Sequence, residues 1–400
     1  MTMAFVAPAG VPLSLRDLAT GAIRGFSSTA GDRLTRGICI AGARERGWLV
    51  STGRAAMTLA FAAMKQVAGD PHRVEVIFPC YTCYSVPAAV ERAGLVPRIC
   101  DVDPATLTPD FNSLAGVDFS RVLAIVSANL YGLPNDLQAM ESLARRHGIF
   151  MLDDAAQALG ARYRGRPAGN FGDVGLYSFD KGKNITTLQG GVLVVDAGGL
   201  SEALESVIGG LRGVPPSGRL ATLLKLPVYA LLLRPWLYGA VRRLPLGLGL
   251  TPYETDYPIA PYSRSLAGLA ALQLERLGEI NGARIRNAAR LREALAGLPG
   301  LSIPPVLPGA EPVYARFPVL VDAQKRAGLI GALEGAGIGA TASYPRALID
   351  VPEVAARLPR DQRPTPGARE VASRIVTLPT HGYCPLDLPQ RIVAVAAPYL

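Results

Sequence analysis

Leu152-Asp153-Asp154-Ala155-Ala156-Gln157 and, further along, Tyr177-Ser178-Phe179-Asp180-Lys181-Gly182-Lys183-Asn184 are the stretches from which the fold is read. In the first, an apolar run over 149–152 drives straight into two acids. In the second, a run over 174–178 ends in a hydroxyl and a loop with two lysines. Around them, short apolar and β-branched runs at 74–78, 96–100, 122–127 and 192–195 alternate with helical patterns at 55–67, 85–92 and 136–146. Such alternation predicts an α/β fold, a mostly parallel sheet covered by helices. Ligands gather in such sheets beyond the carboxyl ends of the strands, where these acids and lysines stand.

The rest of the chain completes the outline. An apolar, basic, proline-interrupted insertion covers about 211–258, a long helical pattern runs over 265–295, and a proline-rich joint follows at 299–312. A strand-like run at 315–321 and a helix at 323–336 come after it. The expected division is a large domain over 1–260, a connecting helix over 261–298 and a smaller C-terminal α+β domain over 299–400.

Composition excludes several classes. With 49% hydrophobic and 18% charged residues in 400, the chain is neither disordered nor fibrous. The net charge of +9 comes without a dense Lys/Arg run or interleaved aromatics, so no nucleic-acid partner is expected. Five cysteines, an odd number in a long chain, fit a reducing cytoplasm. Cys80 and Cys83 form one CxxC without a second pair or nearby histidine, and no metal site is read from them. The start lacks the basic-then-apolar pattern of a signal peptide, and no apolar run spans a bilayer. The stretch 223–250 suits a lid, a dimer contact or a peripheral segment on an anionic membrane, its helical pattern being broken by Pro227, Pro235 and Pro245.

The chemistry lies in the opening stretches. A carboxylate at the end of a buried strand is costly unless a cation neutralises it, and a protonated ring nitrogen would serve. Two of only five lysines share the following loop, the other 36 of 41 basic residues being arginine. Ser178 stands five residues before Lys183. Trp48-Leu49-Val50-Ser51-Thr52-Gly53-Arg54-Ala55-Ala56 sets a small polar turn before a helix, whose first N–H groups and dipole attract a phosphate. An acid for a pyridinium, a lysine for a Schiff base and a hydroxyl with a helix start for a phosphate are what pyridoxal phosphate (PLP) asks of a protein.

The series Asp153 to Gln157, Gly160, Gly165, Gly169-Asn170-Phe171-Gly172-Asp173, Ser178-Phe179, Lys183-Asn184 and Gln189-Gly190-Gly191 closely resembles the DegT-type sugar-nucleotide aminotransferases, fold-type I PLP enzymes of the aspartate aminotransferase superfamily. Phe78-Pro79-Cys80-Tyr81-Thr82, Asp101-Val102-Asp103, Asn129-Leu130-Tyr131-Gly132 and Leu378-Pro379-Thr380-His381 look like that family's other blocks. The resemblance implies Lys183 as the Schiff-base lysine, Asp154 on the pyridine nitrogen, Gln157 near the phenolic oxygen, and Ser178 with Thr52, Gly53 and Arg54 at the phosphate. It further implies a homodimer that moves an amino group from an amino acid such as glutamate to a keto-sugar nucleotide, feeding polysaccharide or glycosylated-metabolite synthesis. Family members that dehydrate sugars carry histidine at the lysine position, so Lys183 favours amino transfer.

Several positions depart from the family pattern. Arg54 replaces a small hydroxyl residue, and the stacking aromatic is replaced by Cys83, leaving Tyr84 or Tyr81 for that role. The Asn-x-Arg block that reaches the neighbouring subunit appears as Tyr262-Ser263-Arg264, and Gln189 replaces a common glutamate. Lys181 lies two residues too close to Ser178 to be the reactive lysine, and Asp153 reads as a cap or supporting acid. His381 and Tyr344 either approach the substrate or pack structurally. A different PLP reaction, such as sugar dehydration or one on a lipid-linked substrate, and a catalytically silent regulatory or membrane-docked homologue are the competing readings.

Overall fold

The computed structural model describes residues 5–213, 216–241 and 253–400. Strands β1 (Arg46–Val50), β2 (Glu75–Pro79), β3 (Val96–Val102), β4 (Pro109–Asp110), β5 (Val122–Ala128), β6 (Phe150–Asp154), β7 (Val174–Ser178) and β8 (Gly191–Val195) form one sheet. Their order is β1-β8-β7-β6-β5-β2-β3-β4. The five strands from β7 to β3 are parallel neighbours, whereas β8 runs antiparallel to both β7 and β1. The parallel strands are mostly apolar because both faces are covered and successive side chains alternate between them. Val76 and Phe78 enter one core and Ile77 the other.

Helices α3 (Gly53–Ala68), α4 (Ser85–Arg92) and α6 (Gly199–Gly209) cover the first face. Helices α2 (Ala30–Gly42), α5 (Leu137–His147) and α9 (Arg264–Glu275) cover the second. An amino-terminal helix, α1 (Leu15–Gly25), lies directly on α9. A Cβ at Gly268 would stand 2.3 Å from the Gly21 carbonyl oxygen, so only glycine permits this approach.

The helical pattern at 265–295 resolves into two helices, α9 and α10 (Leu277–Leu295), because Arg276 leaves helical geometry at φ −102°, ψ 12°. Beyond α10, the antiparallel pair β9 (Phe317–Leu320) and β10 (Ile375–Leu378) packs with helices Arg326–Gly335 and Leu388–Ala396 around a separate core of Phe317, Val319, Leu329 and Ile392.

The stretch 223–250 is more helical than its prolines suggest. α7 (Pro216–Leu232) runs through Pro227, and α8 (Pro235–Val241) begins on Pro235. Pro227 is exposed, so the carbonyl its ring leaves unbonded can face water. Residues 242–250, Pro245 among them, lie outside the described residues.

Gly268→Leu is expected to pry α1 from α9 and lower stability by about 2 kcal/mol or more, measured by thermal or denaturant unfolding.

Candidate active site

Because β5, β6 and β7 are parallel, their carboxyl ends open on one edge, and Asp154 pairs in register with Ala128 on one side and Leu176 on the other. Strand alternation turns the two adjacent acids to opposite sides. Asp153 is wholly buried and accepts hydrogen bonds from Asn129 Nδ2 at 2.7 Å, Gly169 N at 2.6 Å and Phe171 N at 3.3 Å. Burial pushes its carboxyl up to about 6 against these bonds. It therefore braces the 169–171 turn. Asp154 has a different setting: its carboxylate accepts from Ala156 N at 2.9 Å, and burial raises its pKa while the charge of Lys183 is the foremost influence drawing it back.

Lys183 is half-buried whereas Lys181 is exposed. The loop carrying them is held from several sides. The buried Arg284 of α10 donates to the Lys183 carbonyl at 2.8 Å and the Gly10 carbonyl at 3.1 Å. Asn184 meets Asn281 at 2.9 Å, and Gln273 of α9 bonds both the N–H and the carbonyl of Thr186. Thr187 shares a 2.6 Å hydroxyl contact with Tyr262, which stands edge-on to Phe179. These contacts hold the backbone of the loop that carries Lys183.

A second feature lies where β1 passes into α3. Thr52 caps the helix, its hydroxyl accepting from Ala55 N at 3.0 Å. The N–H groups of Gly53 and Arg54, in the first turn, have no intrahelical acceptor. A Cβ at Gly53 would lie 3.1 Å from Ser178 Oγ, and one at Gly191 would lie 2.3 Å from the Thr52 carbonyl oxygen. Helix start, serine and glycines thus form one close cradle for an anion. The Arg54 side chain turns elsewhere, donating to the Glu254 carbonyl at 2.9 Å and lying over the Tyr257 ring at 4.9 Å. It is the Arg54 backbone that remains for the cradle.

Gln157 accepts from Tyr131 N at 3.0 Å and donates to Tyr344 Oη at 3.1 Å. Tyr81 is buried, with its hydroxyl 3.0 Å from that of Tyr131 and its ring edge-on to Tyr344 at 5.8 Å. Tyr84 is half-buried, its ring 6.5 Å from Tyr344, with Arg346 and Glu353 among the charges it feels. Arg316 and Arg284 are functional candidates the sequence reading missed. Arg316 feels Tyr81, Tyr131 and Tyr344, donates to Thr341 Oγ1 at 2.9 Å, and has no carboxylate at ion-pair distance among the described residues. The spacing of Asn281, Arg284, Ala288 and Leu291 puts two polar residues on the core face of α10, a signal in the sequence that the reading passed over.

Other candidates fall away from the chemistry. His381 is buried with a ring nitrogen 2.8 Å from the Ala7 carbonyl, and burial pulls it down to about 4, so it is a neutral packing residue. Cys80 is buried beside Thr365, its thiol pushed up to about 11. No metal-holding cluster occurs among the described residues.

The sequence profile of the DegT/DnrJ/EryC1/StrS aminotransferase family matches residues 42–208 and 264–395. The chain belongs to that family. It is an aminotransferase, with the α/β fold of the PLP-dependent sugar aminotransferases. It is 29% identical over 351 residues to the dTDP-3-amino-3,4,6-trideoxy-alpha-D-glucose transaminase of Streptomyces venezuelae, covering 87% of this chain and 80% of the relative. A UDP-N-acetyl-3-dehydro-alpha-D-glucosamine 3-aminotransferase of Acidithiobacillus ferrooxidans is 28% identical over 82% of this chain and 77% of its own. The solved structure of DesV from S. venezuelae, in complex with ketimine intermediate, superposes with a TM-score of 0.75 at 25% identity, over 98% of this chain and 99% of that one.

The two aminotransferase acids are expected to separate on mutation. Asp153→Ala strands two backbone N–H groups and the Asn129 amide, costing on the order of 3 kcal/mol in denaturant unfolding. Asp154→Ala should leave stability close to wild type and remove activity.

Proposed function

We propose that the enzyme moves an amino group from glutamate to a keto-sugar carried on a nucleotide, using PLP, in polysaccharide or glycosylated-metabolite synthesis. The observation that carries this reading is the half-buried Lys183 whose charge acts on the Asp154 carboxylate, with a glycine-lined helix start beside Ser178. The residues fit the cofactor: a Cβ would close the space between Gly53 and Ser178, a cradle left open for an anion. Relatives named for dTDP- and UDP-linked sugars support the nucleotide-sugar class.

In this reading, Ser178 Oγ, Thr52 and the Gly53 and Arg54 N–H groups bind the phosphate. Asp154, whose pKa burial raises and the charge of Lys183 draws back, would face the ring nitrogen and favour its protonated form. PLP, when bound, supplies an electron sink that weakens the C–H bond at the donor's α-carbon. Lys183 Nζ is the base that takes and returns that proton, its reach set by Arg284 and Asn281 through the loop backbone. Gln157 would hold the phenolic oxygen, Tyr84 or Tyr81 would support the ring, and Arg316 would receive the donor's carboxylate.

The working unit is a homodimer in which Arg264, exposed at the head of α9, reaches the partner subunit's phosphate. The large part to residue 260, the connecting helical part over 261–298 and the small part over 299–400 act as domains, a division supported by the separate core around Phe317. We place the enzyme in the cytoplasm, in keeping with five free cysteines. No helix among the described residues is long and apolar enough to cross a membrane.

Protein incubated with PLP should absorb visible light, lose that band with glutamate, and carry the borohydride-fixed label on Lys183. A label on Lys181 sinks the assignment. Lys183→Ala should lower kcat by about a thousandfold or more. Arg316→Met should raise KM for the amino donor while leaving the sugar's KM unchanged.

A further inference from the structure

The family profile matches residues 42–208 and 264–395 and leaves the segment that carries α7 and α8 outside the match. That segment has an unusual charge pattern. From Glu205 to Glu254 there is no intervening Asp or Glu, while Arg212, Arg219, Lys225, Arg234, Arg242 and Arg243 all fall within it.

α7 is apolar on two sides. Leu226 and Ala230 pack on Val11, Leu13, Leu266 and Leu269, fixing the helix to the body. On another side, Leu224, Val228 and Leu231 follow one another at helical spacing and are 64%, 53% and 39% exposed. Trp236, on α8, is 60% exposed, and Lys225 is exposed between the apolar side chains. A helix anchored by one face, with an outward apolar stripe, a tryptophan and basic but no acidic residues in its own segment, has the make-up of an element lying in a membrane interface.

We propose that the α7–α8 segment docks the enzyme on an anionic lipid surface. The stripe enters the headgroup boundary, and the acid-free basic segment is drawn by the negative surface potential. A second copy of the chain fits this charge pattern poorly, because like-charged segments would face each other across a two-fold contact. The anchored side of α7 is close to the chemistry: Leu188, at the end of the Lys183 loop, packs against the same cluster that seats α7.

The test is flotation of PLP-loaded enzyme with vesicles of phosphatidylcholine alone and of phosphatidylcholine mixed with phosphatidylglycerol. Wild type should float with the mixed vesicles only, and added salt should release it. Lys225→Glu, which leaves the packed face untouched, should weaken partition roughly fivefold or more. Leu224→Asp with Leu231→Asp should abolish it, with the melting temperature and the glutamate-driven spectral change in solution kept. Failure of wild type to float, or equal flotation of wild type and Lys225→Glu, overturns the proposal. Conversion of a dimer to a monomer by the double variant, with flotation unchanged, overturns it in favour of a second copy.

Discussion

A carboxylate buried at a strand end is costly unless a positive charge acts on it, and in this fold Asp154 feels the charge of Lys183. Burial alone pushes the Asp154 pKa up, and Lys183 is the strongest influence pulling it down. The parallel sheet ends β6 and β7 on one edge, and Lys183 lies on the loop that follows β7. Much of the surrounding structure serves that placement. Arg284, Asn281 and Gln273 reach from α9 and α10 to hold the loop backbone, and Asp153, one residue from Asp154, ties the adjoining turn to the sheet.

How much of this could be read in advance depends on how local each signal is. The strand at 174–178 and the helix at 85–92 were legible to the residue, because apolar periodicity is a property of neighbours in sequence. The Asp154, Ser178 and Lys183 series was legible because its spacing within one stretch carries the chemistry. The break at Arg276 was not, since the apolar pattern continues across it and only the backbone angles reveal the corner. α1 and α2 were missed for a related reason: α1 rests on glycine contacts to α9 that no periodicity announces.

Arg316 and Arg284 show the same limit at the site itself. Each lies far along the chain from the groups it serves, so its role depends on which elements the fold brings side by side. Arg54 is the converse case. Its position beside Thr52 and Gly53 suggested a phosphate clamp, but Glu254 and Tyr257, two hundred residues away, claim the guanidinium. Local sequence could not show where so long a side chain would turn.

The amide of Gln157 has one end on the backbone of Tyr131, beyond β5, and the other on the hydroxyl of Tyr344, in the C-terminal part of the chain. A glutamate there would lose the donor that meets Tyr344, and a shorter side chain would lose both ends together. One amide thus acts as a gauge of the spacing between two portions of the molecule. Any sliding of the C-terminal part over the sheet edge would be felt first as a broken bond at that side chain.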